Sequence, residues 1–324
     1  MNNRHLFNSF FILLKGAAAF CLVLFFLAPL NVHPSPLSEA LPVLVADPES
    51  RDTPDIRNFR VMTDEFRRNT ELRLPSREGL SELRVSGSSQ FSSEGLCMIK
   101  EKLAGKKIVI VDLREESHGF INGVPVSWRG VHNWTNMGKP LAFIEDDEKS
   151  RLLALKKAGT AKISWIMKKG DREEYVEESI TVKDVMTEQE LCKSMGVEYL
   201  RIPVSDHLLA SDPRIDYFIR SYCSLRDDRW LHFHCKAGKG RTTTFIALCD
   251  MMKNAKRVTC DDIVNRQMLL GGISLFSEEN PENWKYAPKR MRAVFTARFH
   301  QYCRDNSDGF KTLWSAFRAD QDRL

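Results

Sequence analysis

The 324-residue chain is 43% hydrophobic and 28% charged, with 48 Lys and Arg against 43 Asp and Glu, a net charge of +5. Such ordinary usage excludes a disordered, collagen-like or multi-span membrane protein. So small a cationic surplus leaves no footprint for nucleic acid, yet allows a local basic pocket for an anionic substrate.

Residues 1–40 stand apart. Arg4 and Lys15 precede an uncharged run from Gly16 to Leu30, and Pro34, Pro36 and Pro42 then stop any helix. This is the pattern of a secretory signal peptide, with Ala40 or Ala46 as cleavage point; the other reading is an uncleaved membrane anchor. Export is therefore expected, periplasmic or secreted, with the membrane touched only through this segment if it is retained. Residues 41–54 read as a linker.

Residues 55–123 read as the first part of a core. Arg77 to Gly95 is Ser- and Gly-rich, consistent with a turn and short strands, and Ser92 to Leu103 suits a short helix. Lys107 to Leu113, KIVIVDL, is a β-branched apolar run and predicts a buried strand. Residues 124–185 read as a small β-rich inserted subdomain. Asp147 to Lys157 has helical spacing there, and strands at Lys162–Lys168 and Glu173–Val182 flank a turn at Gly170–Asp171. Residues 186–324 return to the core. Helices are expected at Glu188–Met195, Asp212–Leu225, Thr242–Asn254 and Ala287–Arg304, and strands at Val197–Val204 and Arg229–His234. Strands alternating with helices predict an α/β fold.

Of eight cysteines, Cys21 lies in the leader; seven remain, an odd number that suits one working thiol. No CxxC pair occurs, which removes zinc-ribbon and thioredoxin readings. Export would permit disulfides, but the spacing does not choose the pairs.

The stretch Leu231 to Thr244, LHFHCKAGKGRTTT, carries the chemistry. Cys235 and Arg241 are five residues apart, between a predicted strand and a predicted helix. Gly238 and Gly240 permit a tight loop, so that backbone amides of Lys236, Ala237 and the residues after them can turn inward. The helix aims its positive end at the same point. A phosphate dianion fits such a cradle, and Arg241 can grip two of its oxygens. The same field favours the thiolate at Cys235, which can attack phosphorus and form a phosphocysteine. Thr242 could donate to that thiolate, and His234 could order the loop from the strand side. The leaving alkoxide needs a proton; Asp206, in the loop VSDHLLAS after a strand, is the candidate acid. No metal or cofactor is called for. No Walker A motif occurs, and His232, His234 and Cys235 lack the second ligand pair of a zinc site.

With these residues in place, the chain resembles the cysteine-dependent protein tyrosine phosphatase superfamily, and within it the bacterial PTP-like phytases, which are myo-inositol polyphosphate phosphatases. The likeness runs through VDLREESHGF at 111–120, VSWRG at 126–130, SDHLLA at 205–210, HFHCKAGKGRTTT, NRQMLLGG at 265–272 and DGFKTLWSAF at 308–317. It implies a phosphatase core, a central sheet flanked by helices, with a small partial β-barrel subdomain. It carries Asp206, Cys235 and Arg241 over as acid, nucleophile and clamp. Arg60 and His207 resemble substrate-binding positions, Asp112 lies in the matching core block, and Lys285 and Lys289 lie where the family places substrate-binding lysines. The family includes bacterial enzymes used inside hosts, so a host-delivered effector is also compatible.

Lys236 and Lys239 depart from the family, whose loop often carries an acid or apolar residue there. CKAGKGR looks like the loop of phosphoinositide 3-phosphatases. Each phosphate carries about −1.5 to −2 at neutral pH, so two added cations favour a highly phosphorylated inositol or phosphoinositide. The expected activity is hydrolysis of inositol polyphosphates; the alternative is a phosphoinositide lipid or protein tyrosine phosphatase.

Overall fold

The computed structural model describes residues 41–47, 56–69, 73–169, 172–226, 228–276 and 279–321. The leader reading of residues 1–40 and the turn expected at Gly170–Asp171 lie outside them.

The apolar run Lys107–Arg114 (β4) is buried from Ile108 to its end. Such a strand needs a partner on each edge and a layer on each face. Glu198–Val204 (β10) and Arg229–Cys235 (β11) pair with it in parallel, and Val85–Ser89 (β3) lies parallel beyond β11. Arg60–Val61 (β2) closes that edge antiparallel. Alternation sends Val109, Val111 and Leu113 to one face and Ile108 and Ile110 to the other. The first face packs Phe218, Phe233, Phe245, Phe299 and Trp314. Its helices are Asp212–Ser224 (α4), Gly240–Asn254 (α5), Cys260–Leu269 (α6), Tyr286–Asp305 (α7) and Trp314–Gln321 (α8). The second face packs Leu96 and Ile99 of Ser93–Lys102 (α1) and Leu191 of Glu188–Ser194 (α3). Each large apolar side chain so buried contributes about 1.5–3 kcal/mol.

A second sheet combines Val43–Ala46 (β1), His118–Ile121 (β5), Val124–Arg129 (β6), Thr160–Lys169 (β7), Arg172–Thr181 (β8) and Val185–Met186 (β9). Its order is β8-β7-β1-β6-β5-β9. Leu141–Ala158 (α2) lies between β6 and β7 in sequence. Two expectations change here. The segment read as a linker supplies β1, antiparallel to β6 and parallel to β7, because its apolar side chains Val45 and Ala46 are fully buried in that sheet. The same strand counts against Ala46 as a cleavage point, since a cut there would strip it away. The β-rich region also begins at His118 rather than 124. Among the described strands the order is open, with β8 and β9 at its edges. Both sheets fall within one compact unit.

Candidate active site

Parallel strands β3, β4, β10 and β11 end together, where open α/β sheets place their ligands. After β11 the chain turns through Lys236–Lys239 into α5. Gly238 has φ +66° and crosses β3 so closely that a Cβ would come within 2.4 Å of the Ser88 and Ser89 backbone. Only glycine permits that crossing. Lys239 precedes α5 and no side chain caps the helix, which leaves first-turn amides and the positive helix end for an anion.

Cys235 is 3% exposed and lines a cavity of about 630 Å³. Arg241, in the first turn of α5, is buried beside it. Its Nη1 donates to Glu116 Oε2 at 2.8 Å and to the Val204 carbonyl at 3.0 Å, and its Nη2 donates to Glu116 Oε1 at 3.3 Å. Burial would lower the Arg241 pKa, but Asp206 and Glu116 outweigh it and hold the guanidinium charged. Glu116 in turn lies well below the usual carboxylate range: burial opposes this, and Arg241 and Arg114 prevail.

The loop that carries Asp206 reaches the cradle. Asp206 Oδ1 stands 3.2 Å from Arg241 Nη2. Trp134 Nε1 donates to the Asp206 carbonyl at 2.8 Å, and Arg292 Nη2 to the His207 carbonyl at 2.9 Å. His207 takes a left-handed φ of 64° and meets Trp284 edge-on at 5.1 Å. Burial lowers its pKa, with Lys285 and Arg241 adding to the effect against Asp206.

Behind the cradle lies a buried charge network. His118 Nε2 is 3.2 Å from Asp112 Oδ2, Arg201 Nη1 is 2.6 Å from Glu148 Oε2, and His234 Nε2 is 2.6 Å from Glu188 Oε1. Burial alone would raise Asp112, but His118 and Arg201 hold it well below its ordinary value. Burial alone would lower His118, but Asp112 and Glu148 raise it well above. Asp112, His118 and Glu188 are close enough to share a cation; protonated His118 already supplies positive charge there. His232 is different: burial, then His234, pushes it down to about 3, and it bridges Ser86 and Ser88 at 2.9 Å each as a neutral ring.

Of the residues singled out from sequence, Asp206, His207, Cys235, Lys236, Ala237, Lys239, Gly240, Arg241, Lys285 and Lys289 line the one cavity. Others do not. Arg60 is buried under the loop, donating to the Asn58 and Gly238 carbonyls at 3.0 and 2.9 Å, so it shapes the cradle from below rather than reaching into the cavity. Asp112 accepts from the Arg114 amide and Tyr199 hydroxyl at 2.8 Å each, inside the buried network, and is turned from the cavity by those partners. His234 is fully buried in the same network. Gly238 serves the crossing over β3. Thr242 is fully buried, and its hydroxyl has no hydrogen-bond partner among the described residues, so the expected bond to the Cys235 sulfur is not formed. Lys236 lines the cavity, but its Nζ lies 3.0 Å from Asp47 Oδ1.

Glu116, Arg57, Arg129, Asp47 and Arg292 were missed. Arg292 was findable: Lys285, Lys289 and Arg292 are spaced four and three apart at the start of α7, one helical face. Glu116 had a weaker signal, an acid in a stretch that leads directly out of a buried strand. Nothing in the sequence marked Asp47.

A family model for PTP-like phytases, described by the words inositol hexakisphosphate, matches residues 111–253. A PTP-like phytase structure from Bdellovibrio bacteriovorus is 30% identical, with a TM-score of 0.69, over 88% of this chain and 96% of that one. A PTP-like myo-inositol phosphatase from Mitsuokella multacida, solved with myo-inositol-(1,3,4,5)-tetrakisphosphate, is 36% identical with a TM-score of 0.76. The match covers 86% of this chain and 49% of that one. The effector protein hopD2 of Pseudomonas syringae pv. tomato is 30% identical over 261 residues, 74% of this chain and 52% of that protein. The chain thus spans about half the length of the Pseudomonas and Mitsuokella relatives.

Proposed function

Because the chain belongs to the PTP-like phytase family, we propose that it is a metal-independent cysteine phosphatase that removes phosphate from myo-inositol polyphosphates. The observation that carries this reading is the cation count around Cys235. Arg57, Arg129, Lys239, Lys285, Lys289 and Arg292 line the cavity in addition to Arg241, against the carboxylates of Asp206 and Glu279. One phosphate ester needs the clamp alone; a ring of further cations suits a substrate that carries several phosphates.

Cys235 thiolate attacks phosphorus while Arg241 and the first amides of α5 hold the non-bridging oxygens. The ester P–O bond breaks as the S–P bond forms, and Asp206 gives its proton to the departing oxygen. Asp206 then takes a proton from water, the hydroxide attacks phosphorus, and the S–P bond breaks to return the thiolate. His207, Lys239, Lys285 and Lys289 hold the remaining phosphates. The second sheet acts as a subdomain that completes the rim, through Arg129 at the end of β6 and Ile166 in β7. The likeness to an effector supports work outside the producing cell, as a delivered or exported enzyme.

Phosphate release from inositol hexakisphosphate tests this, with a phosphotyrosine peptide and phosphoinositide vesicles as the other arms and Cys235→Ser as control. Release from the soluble inositol, lost in the serine variant, is expected. No release by the unaltered enzyme refutes the proposal, and faster turnover of either other arm reassigns the substrate.

A further inference from the structure

Lys236 and Lys239 look equivalent in sequence, as two cations of one loop. Their surroundings differ. Lys239 is exposed at the cavity wall. Lys236 Nζ is shut from solvent and directed to Asp47. A nitrogen that water does not touch is not touched by a substrate phosphate either, unless it moves.

Asp47 is built to hold it. It follows β1 directly, its amide donates to the Pro125 carbonyl at 3.1 Å, and it is fully buried. One oxygen faces Lys236 and the other faces Arg114 at 2.9 Å. Burial would raise its pKa, but Arg114 and Lys236 outweigh it, so the group stays ionised. Arg114 passes on to Glu116 at 2.9 Å, and Glu116 to Arg241. Lys236 is thus bound into the supporting network rather than offered to the cavity.

We propose that Asp47 is a specificity-determining residue: it withholds the Lys236 ammonium from the substrate cavity, so that Lys239 is the loop's working cation for phosphates beyond the scissile one. This rests on the inositol polyphosphate reading above. Asp47, the residue after β1, thereby tunes the site although it lies outside the phosphatase loop.

Asp47→Asn frees Lys236 to turn into the cavity. The Michaelis constant for inositol hexakisphosphate should fall roughly five- to tenfold at low salt, the scale of one added charge contact, and the gain should shrink as salt rises. The constant for an aryl phosphate, with no second phosphate to bind, should not share that fall. Adding Lys236→Gln to Asp47→Asn should abolish the gain. An unchanged or raised constant for hexakisphosphate in folded Asp47→Asn overturns the proposal. Lys236→Gln in the unaltered background decides the matter even if Asp47→Asn fails to fold: a fivefold rise in the hexakisphosphate constant would mean that Lys236 already touches substrate, and overturns it. An enzyme inert toward hexakisphosphate in its unaltered form defeats the functional reading instead, whereas an active one with no Asp47 effect defeats only this inference.

Discussion

Arg241 is aimed by Glu116, which takes both terminal guanidinium nitrogens in a fork. A planar guanidinium held on that edge keeps its remaining donors fixed toward the cradle, without the reorganisation a free side chain would need. Glu116→Gln, compared at equal folded fraction, should lower kcat/KM by roughly a hundredfold, the scale for slight misplacement of a reacting group. The measurement is steady-state turnover beside a circular dichroism spectrum; normal kcat/KM would show that Arg241 holds its own place. Asp206 is a different case, because the part proposed for it is a proton. Asp206→Asn should slow hexakisphosphate turnover by roughly a hundred- to ten-thousandfold and aryl phosphate turnover much less, since an aryloxide leaves without help. Equal losses on both substrates would remove it from the acid role. Cys235 and Arg241 were legible because strand, loop and helix follow in unbroken sequence. Arg60 and Asp112 do not reach the cavity, because where a buried charge points depends on a partner that sequence does not bring near it.

Elements carry the next level. Gly238→Ala would bring a Cβ to 2.4 Å from the β3 backbone at a φ of +66°. Backbone has nowhere to yield there, and the left-handed conformation alone costs about 1–2 kcal/mol in a residue with a Cβ. Loss of turnover together with a lowered melting temperature is expected; an unaffected Gly238→Ala would show that the loop does not need its close crossing. The helix reading was sound in place and loose in detail. Ser211 precedes α4 as its N-cap, and the Asp212 carboxylate is taken by Trp314 Nε1 at 2.9 Å and Arg318 at 3.1 Å, both in α8. β1 was read as linker since four residues between prolines and polar chain carry too short a period to announce a strand. Its strand state is imposed by β6 and β7 on its two edges.

At the scale of the molecule, the two sheets share one store of buried charge. His118 of β5 faces Asp112 of β4, and Glu148 of α2 faces Arg201 of β10. Asp112, Glu116 and Glu148 all sit below their ordinary values; burial opposes that in each, and the neighbouring cations prevail. Glu188 is held at about 2, with burial opposed chiefly by His234. A carboxylate with a depressed pKa stabilises the fold fully above its unfolded value, about 4, and loses that contribution as pH falls through the folded value. His118, raised, has the opposite sign: its contribution is complete below about 6.5 and declines as pH rises toward the folded value. Melting temperatures should therefore be highest in the weakly acidic to neutral range and drop steeply below about pH 4. Glu188→Gln should cost about 3–5 kcal/mol at neutral pH, as for breaking a buried pair, and flatten the acid limb. Melts from pH 2 to 8 check both; an acid limb as steep as before would take Glu188 out of the account.

By itself the amino-acid sequence determined the α/β class, and marked the loop from Cys235 to Arg241 as a candidate phosphate cradle and Asp206 as the candidate acid. Each rests on residues adjacent in the chain, or on a hydrophobic period, and adjacency survives without knowledge of the fold. Tertiary structure alone decided which charges reach the cavity. Glu116 meets Arg241 across 125 residues, and Asp47 meets Lys236 from a segment that looked like a tether. A buried cation turns toward whichever carboxylate packing brings within about 3–4 Å, and only the closed arrangement of both sheets sets those distances.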